Sequence, residues 1–495
     1  MLPAQPIIHR VLHSLLFILL VSCVAPTWAT PLPTPFKIAL RQAGIPLDAV
    51  ALIIQPVDAP RAILSNNAAQ AMNPASVMKL VTSLAALDRL GAAYTWKTEI
   101  WAGGEIRDRR LTGDLIIKGY GDPTLTLERL WLMQRELRAR GIEEIRGNLI
   151  LDMSYFELPA LDAGAFDGEP LAIYNAAPAA LLANFNATTL KLNVNGDTVS
   201  LTPEIDLPGI TLTSRLMLDN TACGEWKDRI TPTIPDPARR EFVLDGSYAR
   251  SCGEKRLTLN LFEPALTFDY TFRALWAESG GVITGSTQPG VAPIDKPPLL
   301  SFSSIPLADA LRSLNKYSNN LMTRNLFLTL GAEREGAPAT LEKSARAVRE
   351  WLTEKHIATP ELVLENGAGL SRTERISARS LGRLLLAAYN NPNFSEFESA
   401  LPIIAVDGTL KKRFNDSPLA GHAHLKTGTL KDVRALAGYV FNRSGKRVIF
   451  VMLVNHANAD RSEAAQRVLL EWAYAYNAVP TQRRRAKSKF HAAAR

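Results

Sequence analysis

The apolar positions Leu80, Leu84 and Leu87 recur at helical spacing between Ser76 and Leu90, and Gly91 follows as a stop. This pattern predicts a helix with one buried stripe, packed against a sheet. Upstream, Ala51-Leu52-Ile53-Ile54 reads as a buried strand. From about 95 to 294 the texture changes to short β-rich runs. Asp114-Leu115-Ile116-Ile117 and Asn148-Leu149-Ile150-Leu151 are two of them, separated by Gly, Pro and turn dipeptides such as Asn195-Gly196. Helical periodicity returns at about 300, over Leu307–Asn315, Ser318–Leu330, Leu341–Lys355 and Ala378–Tyr389. Two apolar runs, Ala435–Phe441 and Val448–Met452, flank a turn at Ser444-Gly445 and predict neighbouring strands. A final helix is expected over Arg461–Tyr476. The pattern describes one α/β (α+β) domain, built from 30–94 and 295–480. A β-rich insertion over 95–294 splits it, and is expected to hold two domains, the inner one near 186–270.

The ends read differently. His9-Arg10 leads into an apolar run from Val11 to Val21, which is too short to span a bilayer and fits the core of a signal peptide over 1–29. Thr27-Trp28-Ala29 offers small residues for cleavage after Ala29, whereas Leu20-Val21-Ser22-Cys23 offers a lipobox-like alternative with a lipid-anchored Cys23. Either way the chain is exported, and a periplasmic location is expected. Outside the signal segment only Cys223 and Cys252 remain, an even pair that an oxidising compartment would join as a disulfide. Two buried free thiols are the other reading. The net charge of +8 is concentrated at the end: the stretch 481–495 carries six Lys and Arg and no acid, and without it the balance is +2 (8 − 6). Such a tail can touch an anionic surface or merely keep the chain soluble. Export argues against nucleic acid as a partner.

Candidate chemistry centres on Ser76-Val77-Met78-Lys79. Three residues apart on a helix, the hydroxyl and the amine share a face, and a lysine with a lowered pKa can deprotonate a serine. Spacing alone is weak, because Ser313-Leu314-Asn315-Lys316 has the same form and a serine at a helix start is often only a cap. Lys426-Thr427-Gly428-Thr429 is the only Lys-Thr-Gly of the chain. A lysine and a hydroxyl at a strand edge suit a carboxylate, and the glycine would let a substrate backbone come close. Ser318-Asn319-Asn320 opens a helix between these two motifs. Ser65-Asn66-Asn67 and Ser313-Leu314-Asn315 match Ser-x-Asn as well, but in the wrong order or setting.

With these three motifs in this order, the chain resembles the penicillin-recognising serine D-Ala-D-Ala peptidases, which carry Ser-x-x-Lys, Ser-x-Asn and Lys-Thr-Gly. The 242 positions from Ser76 to Ser318 (318 − 76) point further. They match the class C low-molecular-mass penicillin-binding proteins of the penicillin-binding protein 4 type, whose two extra domains lie there. Gly121-Asp122-Pro123-Thr124-Leu125, Ala176-Ala177-Pro178-Ala179-Ala180, Gly367-Ala368-Gly369-Leu370-Ser371-Arg372 and Asp407-Gly408-Thr409-Leu410 are similar to segments of that family, over roughly 45–475. The resemblance implies a β-lactamase/transpeptidase-like domain, an antiparallel sheet flanked by helices. It implies acyl transfer from peptidoglycan stem peptides to Ser76, with Lys79 as base and Ser318 as proton relay. Asn320, Lys426, Thr427, Gly428 and Thr429 would bind substrate, with the amides of Ser76 and Thr429 as oxyanion hole. β-Lactam antibiotics would acylate the same serine. Asn319 stands where Asp is commoner. An acidic residue near the substrate side-chain pocket is expected from Asp167 or Glu169.

The reaction calls for no cofactor. His422 and His424 lie two apart without a nearby third ligand, so no metal site is expected. A β-lactamase or esterase on the same scaffold, or a non-catalytic cell-wall binding protein, are the competing readings.

Overall fold

The computed structural model describes residues 31–236 and 240–476. The expected signal segment with Cys23 and the basic tail lie outside the described residues.

Five antiparallel strands form the central sheet: β1 (Val50–Pro56), β2 (Leu64–Asn66), β3 (Ala423–Leu430), β4 (Val433–Phe441) and β5 (Arg447–Asn455), in the order β2-β1-β5-β4-β3. The inner strands are apolar at nearly every position because both faces are covered. Ala51, Ile53, Ala435, Ala437, Ile449, Val451 and Leu453 face one core. The alternate residues Val50, Leu52, Ile54, Leu436, Val440, Phe450, Met452 and Val454 face the other. The first core is filled by helices α2 (Lys79–Leu90), α3 (Leu307–Lys316), α4 (Asn320–Glu335), α5 (Leu341–Glu354) and α6 (Ala378–Tyr389). The second is closed by α1 (Thr34–Gln42) and α7 (Glu463–Ala475). Leu80, Leu84 and Leu87 of α2 sit in the first core, as their spacing predicts. Residues 79–87 of α2 are in fact buried on every side.

The inserted segment has cores of its own. An outer one lies under the sheet of Thr287–Pro289, Leu149–Asp152, Leu115–Gly119, Lys97–Ala102 and Leu300–Ser303. Its last strand pairs antiparallel with Lys97–Ala102, so this sheet reaches past the boundary expected at 294. The Pro-rich 297–298 reads as a linker, and four alternating residues are too few to announce a strand. The inner core collects Leu190, Leu192, Leu216, Phe242, Leu244, Tyr248 and Leu257 from two three-stranded sheets. The turn at Gly196, φ +59°, closes its first hairpin between Asn195 and Thr198. Cys223 and Cys252 form a disulfide there, with Cα atoms 4.8 Å apart. The helix Pro264–Glu278 returns Phe268, Phe272 and Trp276 to the outer core, so the inner one ends at Leu261, short of 270.

The insertion docks on α4. Asn325 Nδ2 donates to the carbonyls of Gly121 (3.1 Å) and Ala179 (2.9 Å), and Arg324 donates to Ala176 O (3.1 Å). The segments around Gly121 and Ala176 thus end at the helix whose first residue is Asn320. No helix among the described residues is long and apolar enough to cross a membrane.

Candidate active site

Ser76 lies in a single 3-10 turn, Ala75–Met78, directly before α2. It caps nothing. Its Oγ is 3.0 Å from Lys79 Nζ, the contact that one helical turn predicts. The approach to this turn is pinned from two directions. Asn455, at the end of β5, exchanges two hydrogen bonds with the backbone of Asn73 (2.8 and 2.9 Å). The Asn73 side chain accepts from Ala75 N–H (2.9 Å) and donates to Ser371 O (2.8 Å). Ala75 is held at φ +46°, a left-handed conformation that an alanine avoids unless its surroundings enforce it.

Lys79 is completely buried. Besides Ser76, its Nζ reaches Asn320 Oδ1 (2.7 Å) and Ala368 O (2.5 Å), and no carboxylate hydrogen-bonds it. Burial holds its pKa well below the ordinary lysine value. The Lys426 charge lowers it further, Glu374 raises it, and Arg324 lowers it again. The lowering is therefore first a matter of desolvation, and only second of the Lys426 potential.

Ser318 and Asn320 come from the start of α4. Asn319, not Ser318, caps the helix, its side chain accepting from Met322 N–H (3.0 Å). The Asn for Asp departure is thus a cap, made by a residue as suited to capping as aspartate. Ser318 is left free of that duty at φ +57°, and its Oγ accepts from Lys426 Nζ (2.8 Å). Asn320 Nδ2 donates to Tyr174 O (3.3 Å), which ties the insertion to the site.

β3 is the edge strand of the sheet and carries the third motif. Lys426 is buried, and burial pushes its pKa down to about 7. It also donates to Thr427 O (2.9 Å), while the Thr427 hydroxyl pairs with that of Thr409 (2.8 Å). Gly428 has a second reason beside the one its sequence suggests. A Cβ there would lie 2.5 Å from Pro74 O and 3.1 Å from the Ala75 Cβ. The glycine admits the turn that carries Ser76. Thr429 is exposed beside it.

Asp167 and Glu169 are both exposed. Asp167 accepts from Tyr174 Oη (2.8 Å) and Asn175 Nδ2 (2.9 Å), one residue from the carbonyl that meets Asn320. Glu169 engages through its backbone: its N–H donates to Asp167 (3.2 Å) and its carbonyl accepts from Asn175 (2.9 Å). His422 and His424 face backbone carbonyls, Ala420 O and Glu398 O. Among the described residues no three His, Cys, Asp or Glu side chains gather as a metal site would require.

Sequence reasoning did not assign roles to Asn73, Asn455, Arg324, Glu374 or Ala368. The first two act on backbone, Ala368 acts through its carbonyl, and the two charged residues lie under the site. Ala368 lies in the Gly367–Arg372 segment noted in the sequence, but a carbonyl leaves no side-chain signal, and the other four have no local pattern that would announce them.

The family model "D-Ala-D-Ala carboxypeptidase 3 (S13) family" matches residues 37–476. A D-alanyl-D-alanine carboxypeptidase of Actinomadura sp. (strain R39) is 29% identical over 410 residues, 80% of this chain and 76% of the relative. The D-alanyl-D-alanine carboxypeptidase DacB of Haemophilus influenzae is 26% identical, over 82% of this chain and 85% of its own length. The crystal structure of penicillin binding protein 4 from H. influenzae superposes with a TM-score of 0.76 at 25% identity, covering 89% of this chain and 99% of that one. A further structure of that protein, complexed with a β-lactam, gives 0.72 at 24% identity, over 90% of this chain and 100% of that one. The chain belongs to the D-Ala-D-Ala carboxypeptidase 3 (S13) family, as a class C penicillin-binding protein and serine hydrolase.

Proposed function

We propose that this chain removes the terminal D-Ala of peptidoglycan stem peptides through an acyl-enzyme on Ser76. Lys79, neutral because it is buried, takes the Ser76 proton. Ser76 Oγ attacks the carbonyl carbon of the penultimate D-Ala, and the oxygen that becomes negative meets the amides of Ser76 and Thr429. As the C–N bond breaks, the leaving amine takes a proton relayed by Ser318. Lys426 and Thr427 bind the terminal carboxylate, and Asn320 holds the substrate amide. Water then attacks the Ser76 ester, giving the shortened peptide and free serine. Cleavage of a cross-link between two stem peptides uses the same steps, and assays on crosslinked and uncrosslinked muropeptides separate the two activities.

The observation that carries this reading is a fully buried amine, 3.0 Å from a serine hydroxyl, with no carboxylate partner. A β-lactamase with a carboxylate base for fast deacylation is the less favoured reading. The carboxylates behind the site are engaged elsewhere: Glu374 accepts from three backbone amides, and Glu365 from Ser371 and Thr373. Intact mass spectrometry after incubation with penicillin tests the reading. A stable adduct mapped to Ser76 is expected, and an unmodified protein overturns it. The same spectrum fixes the mature N-terminus, and so decides between soluble periplasmic export after Ala29 and an anchor on Cys23.

We assign Asp167, rather than Glu169, to the substrate side-chain subsite, because its carboxylate is held in place by Tyr174 and Asn175. A carboxylate there favours a third stem residue bearing a free amine. Asp167→Asn should raise KM for such a peptide about tenfold and leave a peptide lacking that amine unaffected. Equal effects on both peptides would remove the assignment.

A further inference from the structure

The three neighbours of Lys79 Nζ are chemically unequal. Ala368 O and Asn320 Oδ1 can only accept, whereas Ser76 Oγ can also donate. A neutral amine has two hydrogens and one lone pair, and a protonated one has three hydrogens. When both hydrogens go to the two carbonyl oxygens, the lone pair is left for the Ser76 O–H. The Ala368 carbonyl therefore helps to aim the base.

Ala368 belongs to no helix or strand, so something else must aim its carbonyl. Glu374 is completely buried, and its Oε1 accepts from the amides of Glu365 (3.0 Å), Asn366 (3.0 Å) and Gly367 (2.9 Å). Its Oε2 is buried without a hydrogen-bond partner. Thr82, one turn beyond Lys79 on α2, donates to Gly367 O (2.7 Å), and Asn366 Oδ1 accepts from Ala368 N–H (2.9 Å). The turn also bears on the nucleophile. A Cβ at Gly369 would lie 1.9 Å from Ala75 O, so only glycine lets the two backbones meet here.

We propose that Glu374 is a positioning residue for proton transfer from Ser76 to Lys79, holding the turn that presents Ala368 O and supplying the buried negative charge set against Lys79 and Arg324. The inference rests on the reading of Ser76 and Lys79 as nucleophile and base. Four charged groups act around that base: Lys426 on β3, Arg324 on α4, and Glu374 and Glu365 on the turn and its flank. Burial and the two cations lower the pKa of Lys79. Excess of that influence would leave an amine too weak to accept a serine proton. Glu374 offsets it and stabilises the ammonium that proton transfer creates. Burial raises the pKa of Glu374 above the ordinary carboxyl value and the Glu365 charge adds to that rise, while the three amide donors on Oε1 act the other way; the acidic limb of Glu374→Gln reads whether the anion prevails.

The test is the pH dependence of Ser76 acylation by a penicillin, in the full-length protein. Glu374→Gln keeps an accepting oxygen for the three amides but removes the charge. Its acidic limb should move to lower pH, by about half a unit or more. Arg324→Gln should move the limb to higher pH. Glu374→Ala, which also frees the turn, should lower the plateau rate at least about tenfold. A merely structural glutamate would reduce thermal stability in each Glu374 variant and leave the limb in place. Limbs of Glu374→Gln and Arg324→Gln that both superimpose on the wild type, or a Glu374→Ala protein that acylates at the wild-type rate, overturn the proposal. If Glu374→Gln fails to fold, Glu374→Asp decides. Charge kept and reach shortened should lower the plateau with the limb unmoved, and an unchanged plateau overturns the proposal. A wild-type protein that is not acylated at all would instead sink the site assignment beneath it.

Discussion

Ser76-Val77-Met78-Lys79 and Ser313-Leu314-Asn315-Lys316 are the same pattern with two outcomes. Both place the serine one helical turn before the lysine. In the second, on the amphipathic α3, Lys316 Nζ is 2.6 Å from Asp407 Oδ2, and Asn315 reaches Ser83 Oγ at 3.0 Å. The lysine answers a carboxylate and ties α3 to the segment that carries Thr409. In the first, the lysine is buried with carbonyl and hydroxyl neighbours, beside two further cations. An ion pair keeps an amine protonated, while burial without one makes it a base. The difference between scaffold and chemistry lies in the partners of the lysine, not in its spacing from the serine.

The largest effect should separate the two serines. Ser76→Ala is expected to abolish the penicillin adduct, whereas Ser313→Ala should label as the wild type does, as read by mass spectrometry. The lysines come next. Lys79→Met should slow acylation about a thousandfold, within the usual range for loss of a general base. Lys316→Met should leave the rate within about twofold and cost about 1 kcal/mol or less of stability, as a partly exposed ion pair does. Equal losses at both lysines would break the comparison.

The third lysine sharpens it. Burial lowers Lys426 to about 7, so in the free enzyme it discharges as pH rises through that value. For a peptide ending in a carboxylate, kcat/KM should therefore fall on the alkaline side with an apparent pKa near 7. A substrate with an amidated end should lack that limb. The sign for folding is opposite. The unfolded chain keeps this proton to higher pH, so the Lys426 contribution to stability should grow as pH rises above about 7. The smallest effect on acylation belongs to the insertion. Replacing Cys223 and Cys252 with Ser opens a loop of 29 residues and should cost about 3 kcal/mol in the inner core. The rate at Ser76 should not change, because that core lies outside the split domain.

Much of this was legible in advance. The Leu80, Leu84 and Leu87 stripe, the Gly91 stop at φ +85° and the Val448–Met452 run follow from side-chain periodicity, which is local. The sequence places the start of α4 two positions early (320 − 318): Ser318 looks like the helix start, while Asn319 caps and Asn320 begins the helix. That shift frees the Ser318 hydroxyl for Lys426. At Gly428 the sequence suggests room for substrate, and nothing local tells that Pro74, 354 positions away in sequence (428 − 74), lies in contact as well. Glu374 and Arg324 look like surface charges in sequence and are buried in the fold. Burial of a charge depends on distant elements, so it leaves no local trace.

The sequence by itself determined helices α2 to α7 and the inner strands of the split domain, the order of the three motifs, the pairing partner left to Cys223 and the long gap between Ser76 and Ser318. These are properties of spacing and side-chain type, and they survive any arrangement in space. Only the tertiary structure sets the two Ser-x-x-Lys apart, by surrounding Lys79 with two accepting oxygens and withholding a carboxylate, while Lys316 meets Asp407. Only it showed that the turn of Ala368, anchored on Glu374, closes over that lysine from 289 residues away (368 − 79). A pKa is set by the dielectric and the charges around a group, and those are assembled from segments that the chain keeps far apart.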